Sequence, residues 1–299
     1  MAYTVTLVAN LQAGPLTDAL ARAAFAYCEG QALNWLSPGE ACEFRVKNAP
    51  DAAMVKQAAL NGKPVDVLVS RQRGRRKAVL VADMDSTIVT SETLDELAGQ
   101  AGLKDRVAEI TRRSMNGEID FATALRERVA MLKGLELSAL ERTWRAIEFT
   151  PGAHTLVATM RSFGAVTALV SGGFSYFTER VAAELGFDIQ RANVLLDDGT
   201  ALTGAVAEPI LDQNAKLNTL KAIAEDRGVR LAATLAVGDG ANDLPMLKTA
   251  GLGVAYRAKP VVAAEVANRI EHTDLRSLLF AQGYPAKVFK SGVFKSGAA

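Results

Sequence analysis

Two aspartates stand directly after an apolar segment of the chain. Asp83 and Asp85, in the segment Asp-Met-Asp-Ser-Thr at 83–87, follow five apolar residues at 78–82 that are typical of a buried strand. Carboxylates at positions i and i+2 past a strand end are expected to point to the same side. That arrangement suits an attacking carboxylate, a neighbouring acid or base and a divalent metal ion. Taken alone, the pattern more often marks two solvated turn aspartates.

Three further polar segments have positions that match the first. Ser171 and the two glycines after it follow the apolar run 166–170, and Asp239 follows the run 235–237. Lys216 opens a predicted helix before the second of these strands. In doubly wound sheets, ligands bind beyond the carboxyl ends of the strands. We therefore expect all four segments to converge on one edge of a sheet.

The chemistry that such a set supports is phosphoryl transfer from a phosphate monoester. This reaction needs a nucleophile, a proton donor for the leaving alkoxide and positive charge around the phosphoryl oxygens. We predict that Asp83 is the nucleophile and forms an aspartyl-phosphate. Asp85 is the predicted general acid, and then the base that activates the attacking water.

The remaining polar residues are candidates for holding a metal ion and the phosphate. We predict that Asp83 and Asp239, with a backbone carbonyl at Asp85, hold Mg²⁺, which takes oxygen ligands. Lys216 and Ser171, with backbone N–H groups around Gly172, are predicted to bind the phosphoryl oxygens. Each segment alone could be an ordinary turn or a solvated helix residue. The Gly-Asp-Gly segment could also belong to a calcium loop, but it lacks the further acidic ligands and the closing Glu of an EF-hand.

Residues 1–77 are predicted to form a small α+β module followed by a basic linker. Strand-like and helix-like segments follow in the order βαββαβ, at about 3–8, 16–27, 32–36, 42–46, 51–60 and 65–69. This is the order of the ferredoxin-like fold. The basic run at 71–77 could be a phosphate or nucleic-acid patch. Because no aromatic residues interleave it, we predict a solvated linker instead.

From residue 78 onward the pattern changes to an alternation of strands and helices. This alternation predicts an α/β fold with a doubly wound, mostly parallel sheet, which we assign to 78–90 and 149–283. Between 91 and 148 no strand-like run occurs, and four helical segments there predict an inserted cap. Residues 284–299, which repeat Val-Phe-Lys-Ser-Gly, are predicted to be a disordered tail.

The composition limits the kinds of partner that we expect this protein to bind. Formal net charge is +1 and 49% of the residues are apolar, so we expect a sizeable core and no nucleic-acid partner. No apolar stretch approaches the roughly 18 residues that span a bilayer, and the N-terminus lacks a signal-like pattern. We therefore expect no membrane partner and a cytoplasmic location. Cys28 and Cys42 lack metal-ligand spacing and are expected to be buried thiols in a reducing compartment.

Together, the four segments resemble the motifs of phosphatases in the haloacid dehalogenase (HAD) superfamily. The helical insert likewise resembles the cap of that superfamily, which implies a HAD-like core. Within the superfamily, the chain is similar to the phosphoserine phosphatases over about residues 78–280. The stretches that carry this resemblance are DMDSTIVTSETLDEL at 83–97, VSGGF at 170–174, LTG at 202–204 and AVGDGAND at 236–243.

The resemblance implies an activity and further site residues. The implied reaction is Mg²⁺-dependent hydrolysis of O-phospho-L-serine to L-serine and phosphate, the last step of serine biosynthesis. Glu92 would pair with the substrate ammonium and Arg128 with its carboxylate, because an arginine and a carboxylate form a strong fork. Met115 and Phe121 would close the site with apolar surface, and Asn242 would hydrogen-bond toward the phosphate region.

The element order of residues 1–77 also resembles the ACT-type regulatory modules. This resemblance implies an amino-acid-sensing role and a homodimer formed through the module. Two alternatives therefore stay open beside phosphoserine hydrolysis. The chain could be a phosphatase of the same fold for another small phosphomonoester, or its chief role could be an amino-acid-sensing module that controls activity.

Overall fold

The computed structural model describes residues 2–115, 118–211 and 214–292. Its strands are β1 (Tyr3–Ala9), β2 (Gln31–Ser37), β3 (Ala41–Val46), β4 (Val65–Arg71), β5 (Val79–Ala82), β6 (Val166–Phe174), β7 (Ile189–Asn193), β8 (Leu195–Asp197), β9 (Leu202–Val206), β10 (Thr234–Gly238), β11 (Leu252–Tyr256) and β12 (Arg269–Ile270). Its α-helices are α1 (Asp18–Tyr27), α2 (Ala52–Leu60), α3 (Thr93–Gln100), α4 (Lys104–Met115), α5 (Phe121–Ala130), α6 (Ser138–Ala146), α7 (Ala153–Ser162), α8 (Ser175–Leu185), α9 (Asn214–Asp226), α10 (Leu244–Thr249), α11 (Pro260–Glu265) and α12 (Ser277–Ala281). Among the described residues, none of these helices is both long and apolar enough to cross a membrane.

The N-terminal module has the predicted order βαββαβ. Its four strands form a sheet in the order β2-β3-β1-β4, and every neighbouring pair is antiparallel. Both helices begin at a residue whose side chain accepts a backbone N–H, Thr17 for α1 and Asp51 for α2. Val5 and Phe44 on the sheet and Val55 on α2 are completely buried in one core. The predicted ferredoxin-like order is therefore confirmed.

The second sheet has six parallel strands in the order β12-β11-β10-β5-β6-β7. Successive residues of β5 point to opposite faces, and both faces are buried. Leu80 and Ala82 pack with the core beneath α7 and α8, whereas Val79 and Val81 pack with the core beneath α9 and α10. The prediction of a doubly wound parallel sheet is confirmed. Because β5 lies between β10 and β6, its carboxyl end has a neighbouring strand end on each side.

Helices α3–α6 form the inserted cap between β5 and α7. The two segments that connect the cap to the core lie side by side, since Thr90 N donates to Glu148 O and Thr150 N donates to Ile88 O. The hairpin β8–β9 packs against the cap through the backbone of Leu202. We did not predict β7, β8, β9 or β12. These strands have two to five residues, and each contains positions that are only partly buried or exposed, so they lack the continuous apolar run that marks β5.

The basic segment 71–77 is solvated only in part, since Arg71, Arg73 and Arg76 are exposed whereas Arg75 and Lys77 are not. Arg75 pairs with Glu43 of β3 at 2.7 Å and also donates to the carbonyl of Ala281. Lys77 is buried, and its ammonium donates to the carbonyls of Gly74 and Ala232. These contacts fix the segment between the module and the core, because long basic side chains can bury their stems and bind carbonyls with their charged ends.

The predicted disordered tail is wrong for residues 284–292. Tyr284 is only 2% exposed, and the ring of Phe289 packs against Phe280 with centroids 5.0 Å apart. The backbone N–H of Lys290 donates to the hydroxyl of Thr159. The aromatic residues of this segment therefore cover the core, which the repeat pattern alone did not indicate. Residues 293–299 lie outside the described residues.

Asp66 of β4 fastens the N-terminal module to the core. Its carboxylate is 1% exposed and accepts the backbone N–H groups of Glu271, His272 and Thr273. It also accepts the hydroxyl of Thr273 at 2.6 Å. Because every contact at this carboxylate comes from a donor, an isosteric amide would place its own NH₂ group against N–H donors.

We therefore expect Asp66→Asn to lower the free energy of unfolding by about 1–3 kcal/mol. Urea denaturation monitored by circular dichroism measures this loss. Asp18→Asn is the matched control, because Asp18 forms an exposed pair with Arg22 and should change stability by less than about 0.5 kcal/mol. Equal stability of Asp66→Asn and the wild-type chain would contradict the anchoring role of Asp66.

Candidate active site

Side chains from distant segments meet at the carboxyl end of the six-stranded sheet. Asp83 follows β5, Ser171 lies near the end of β6, Asp239 follows β10 and Lys216 lies in the first turn of α9. The ammonium of Lys216 is 2.7 Å from Oδ2 of Asp83. Ser171 Oγ donates to Oδ2 of Asp85 at 2.8 Å. The structure thus brings together the residues to which we assigned catalytic roles from the sequence.

Lys216 is a buried cation shared by two carboxylates. Its Nζ lies 2.7 Å from Asp83 Oδ2 and 2.6 Å from Asp243 Oδ1, and its side chain is 4% exposed. Burial by itself would lower the pKa of Lys216, but the attraction of Asp243 and Asp83 outweighs it and raises that pKa above its usual value. Lys216 therefore stays positively charged, as its predicted role in binding phosphoryl oxygens requires.

Asp243 holds the loop that follows β10. One of its oxygens accepts the backbone N–H groups of Asp239 and Gly240, and the other accepts from Lys216. A Cβ atom on Gly238 would lie 2.4 Å from the Asp243 carboxyl, so this close approach requires glycine there. We predicted no separate role for Asp243. The contacts identify it as the residue that positions both Lys216 and the loop.

Asp85 is bound from the sheet side and from the cap side. Its Oδ2 accepts from Ser171, and its Oδ1 accepts the backbone N–H of Thr93 at the start of α3. Burial, and then repulsion by Glu92, raise the pKa of Asp85, although the hydrogen bonds from Thr93 and Ser171 oppose the rise. A carboxyl group with a raised pKa holds its proton more readily than a surface aspartate. This environment suits a general acid.

Three buried carboxylates could hold a metal ion. Oxygens of Asp83, Asp239 and Asp243 lie within 4.8 Å of one another. Burial, followed by repulsion from Asp243, raises the pKa of Asp239 to about 6. The same two causes raise the pKa of Asp83 well above its usual value, although Lys216 opposes them. The cluster thus carries surplus negative charge, and an all-oxygen donor set of this kind fits a hard divalent cation.

Within this cluster the carboxylates are not equally free to bind a cation. Asp243 already uses its oxygens for Lys216 and for two backbone N–H groups. Asp239 accepts a weaker contact from the Thr87 hydroxyl at 3.2 Å. The Asp85 carboxylate lies outside the cluster and binds Ser171 and Thr93 instead. The metal ligand that we predicted at Asp85 is therefore its backbone carbonyl.

The cap brings two of the predicted substrate residues close to the catalytic loops. Glu92, just before α3, accepts a hydrogen bond from Ser86 Oγ at 2.8 Å. Phe121 packs directly over Gly172, since a Cβ atom on Gly172 would lie 3.2 Å from the Phe121 ring. The backbone of Met115 ends α4, and its side chain lies outside the described residues.

Arg128 on α5 is a half-buried cation that faces acidic residues of the cap. Burial lowers the pKa of Arg128, and attraction by Asp95 and then Glu92 opposes this shift. Its Nε donates to the carbonyl of Ala124 at 3.2 Å, and Nη1 lies 3.4 Å from the hydroxyl of Thr111. Arg128 and Glu92 therefore belong to one charged group on the cap.

Asn242, in the loop after β10, and Gly172, near the end of β6, lie at the same edge of the sheet. Asn242 is half-buried beside Gly240 in the loop after β10. The Gly172 carbonyl accepts from Nδ2 of Asn193, which fixes the end of β6. We missed Asn193 because β7 was not predicted. We also missed the role of Thr93, whose sequence signal was its place at the start of the first cap helix.

Comparisons with known proteins agree with this geometry. The family model described as haloacid dehalogenase-like hydrolase matches residues 80–248. A phosphoserine phosphatase from Streptococcus thermophilus is 46% identical over 203 residues, which cover 68% of this chain and 94% of that protein. A phosphoserine phosphatase from Streptomyces coelicolor is 38% identical over 250 residues, which cover 82% of this chain and 61% of that protein.

One of the solved structures extends the similarity to 94% of this chain. A HAD-family hydrolase from Salmonella enterica serovar Typhi superposes with a TM-score of 0.82 at 26% identity, covering 94% of this chain and 98% of that one. A substrate-bound phosphoserine phosphatase superposes with a TM-score of 0.64 at 40% identity, covering 69% of this chain and 98% of that one. The chain therefore belongs to the haloacid dehalogenase-like hydrolases.

Proposed function

We propose that this protein is a phosphoserine phosphatase, which hydrolyses O-phospho-L-serine to L-serine and phosphate. The observation that carries this proposal is the pairing of two differently held carboxylates. Asp83 is paired with the buried Lys216, whereas Asp85, two residues later, is bonded to Ser171. Several of the similar proteins above bear the name phosphoserine phosphatase, which supports this choice among phosphomonoesters.

In the proposed mechanism, Asp83 attacks phosphorus and the bond to the serine oxygen breaks. Asp85 gives its proton to that leaving oxygen, and its raised pKa favours the protonated form that this step needs. Asp85 then takes a proton from the water that attacks the aspartyl-phosphate, which releases phosphate and restores Asp83. Lys216, Ser171 and backbone N–H groups near Gly172 hold the phosphoryl oxygens through both steps.

The proposed metal ion is Mg²⁺, held by Asp83, Asp239 and the backbone carbonyl of Asp85. When bound, it supplies positive charge that reduces the repulsion between a carboxylate and the phosphate dianion. Asp243 supports this set indirectly, because its contacts with the loop and with Lys216 position Asp239 and Asp83.

The cap is proposed to select the serine part of the substrate. Glu92 would pair with the ammonium, and Arg128 would bind the carboxylate in a two-pronged contact. Phe121, with Met115, would cover the site with apolar surface and limit access of water. Several further points stay predictions. They are the place in serine biosynthesis, the cytoplasmic location, the homodimer, the ACT-like character of the module and the absence of nucleic-acid and membrane partners.

Replacement of the proposed nucleophile tests the reaction directly. We expect Asp83→Asn to reduce release of phosphate from O-phospho-L-serine by about 10³-fold or more, because an amide cannot form the acyl phosphate. Addition of EDTA to the wild-type enzyme should have a similar effect. Asp226→Asn is the control, since Asp226 is an exposed carboxylate at the other end of α9. Near-wild-type turnover by Asp83→Asn would contradict the assignment.

A panel of substrates tests the role of Arg128. We expect Arg128→Ala to lower the preference for phosphoserine over phosphoethanolamine by about 10- to 100-fold in kcat/KM, the effect of losing a charge-assisted contact. Turnover of phosphoethanolamine, which lacks the carboxylate, should change little. Arg126→Ala removes an exposed arginine of the same helix and should leave the preference unchanged. An unchanged preference in Arg128→Ala would rule out the proposed contact.

The pKa of Asp239 predicts how Mg²⁺ affects stability at different pH. Because burial raises this pKa from 3.8 to about 6, protonated Asp239 stabilises the metal-free fold below about pH 4, and that contribution is lost as the pH rises through 6. Mg²⁺ binds the ionised carboxylate, so the increase in Tm on adding Mg²⁺ should be larger at about pH 8 than at about pH 5.

Thermal unfolding with and without Mg²⁺ measures this increase. In Asp239→Asn, whose amide does not titrate, we expect a much smaller increase at both pH values. An increase in the wild-type protein that is the same at both pH values would show that Asp239 is not a ligand with a raised pKa.

A further inference from the structure

A cavity lies between the N-terminal module and the core, away from the candidate active site. Its volume is about 490 Å³, which is within the usual range for small-molecule sites of roughly 300–1,000 Å³. The module contributes Lys56 and Gly62, and the core contributes residues between Ala255 and His272, around β11 and β12. None of the proposed catalytic residues lines it.

The lining of this cavity carries more positive than negative charge. Lys56, Arg257 and Arg269 face one carboxylate, Glu271. Lys56 Nζ lies 2.6 Å from Glu271 and thereby neutralises it, while Arg269 Nε is farther from Glu271, at 3.9 Å. In the described part of the chain, no carboxylate lies within 4.0 Å of the Arg257 guanidinium. The Arg257 guanidinium thus has no close counter-ion among the described residues, and the Arg269 guanidinium has only this longer contact with a carboxylate that Lys56 already binds.

The acidic and histidine side chains nearby do not make this cavity a metal site. Ligand atoms of Asp66, Glu271 and His272 lie close enough together to hold an ion. However, the Lys56 ammonium already contacts Glu271 Oε2 and also His272 Nε2, at 2.7 Å. The Asp66 carboxylate already accepts hydrogen bonds from residues 271–273. A metal cation would have to displace the protein's own cation, so the unmet charge in the cavity calls for an anion.

Arg257 links the cavity to the catalytic edge of the sheet. It adopts a left-handed backbone conformation with φ of 41°, which is uncommon for a residue other than glycine and occurs often at functional sites. Two residues later, Lys259 N donates to the Asp239 carbonyl, and Lys259 Nζ lies 4.0 Å from the Asp239 carboxylate. A ligand held by Arg257 would therefore bind next to a segment that touches the proposed metal ligand.

We propose that this interdomain cavity binds a small phosphate-type oxyanion, either inorganic phosphate or a phosphate monoester, through Arg257 and Arg269. Two guanidinium groups match the charge of a dianion, and their planar forks match the geometry of phosphate oxygens. Glu271 is already paired with Lys56, so a zwitterionic amino acid would find no free carboxylate for its ammonium. The site is separate from the catalytic centre and binds its ligand without turnover.

Isothermal titration with inorganic phosphate, on the full-length chain without substrate, tests this proposal. We expect the wild-type chain to bind one phosphate more than the double variant Arg257→Gln/Arg269→Gln. Phosphate at the catalytic centre contributes equally to both, so the difference isolates the cavity even if the proposed enzymatic function is wrong. The control Arg22→Gln/Arg145→Gln removes two exposed arginines elsewhere and should keep the wild-type stoichiometry.

Equal stoichiometry in the wild-type and cavity variants would overturn the proposal. If the double variant is unfolded by circular dichroism, the single variant Arg257→Gln replaces it, because Arg257 is exposed and its loss should weaken the cavity site at least about tenfold.

A second set of titrations, in the Asp83→Asn background to prevent hydrolysis, identifies the source of the oxyanion. Additional binding of O-phospho-L-serine that depends on Arg257 supports a monoester ligand, and additional binding of inorganic phosphate alone supports free phosphate. Binding of L-serine at this cavity, with no binding of either phosphate compound, would overturn the phosphate class.

Discussion

The ion pair of Lys216 with Asp83 and Asp243 is the interaction on which the rest of the site depends. It joins the end of β5, the start of α9 and the loop after β10, which are far apart in the sequence. All three groups have lost nearly all of their contact with water, so their burial is tolerable because they are paired. The parallel pairing of β5 with β10 makes this meeting possible, since Asp83 N also donates to Val237 O.

Asp83 and Asp85 have different proposed roles because their side chains contact different neighbours. Asp85 has an extended backbone and Ser86 a φ of 55°, so the chain turns between the sheet and the cap. Asp83 meets Lys216 and the acidic loop, whereas Asp85 meets Ser171 and Thr93. Burial raises the pKa of both carboxyl groups, but Asp83 lies beside the Lys216 cation, which opposes the rise, whereas Asp85 has no cation as a partner among the described residues and is repelled by Glu92. This separation of environments allows a nucleophile and a general acid to stand two residues apart.

Much of this arrangement could be predicted from the sequence, because apolar runs such as 78–82 mark buried parallel strands and polar residues directly after them mark the functional edge. The order βαββαβ and the helical cap followed from the same kind of pattern. Contacts that depend on tertiary packing were not predictable. In the sequence alone, Arg75 and Lys77 look like solvated charges. The fold places Glu43 beside Arg75 and two backbone carbonyls beside Lys77. Asp243 likewise has no evident role until Lys216 is placed beside it.

Whether Asp83 attacks phosphorus is tested most directly by trapping the covalent intermediate. The enzyme would be mixed with O-phospho-L-serine carrying a radiolabelled phosphate, quenched rapidly in acid and digested for peptide mapping. We expect the label on the peptide that contains Asp83, in a form that hydroxylamine releases, as for an acyl phosphate. Rapid turnover without any label on Asp83, or with the label on another residue, would contradict the mechanism.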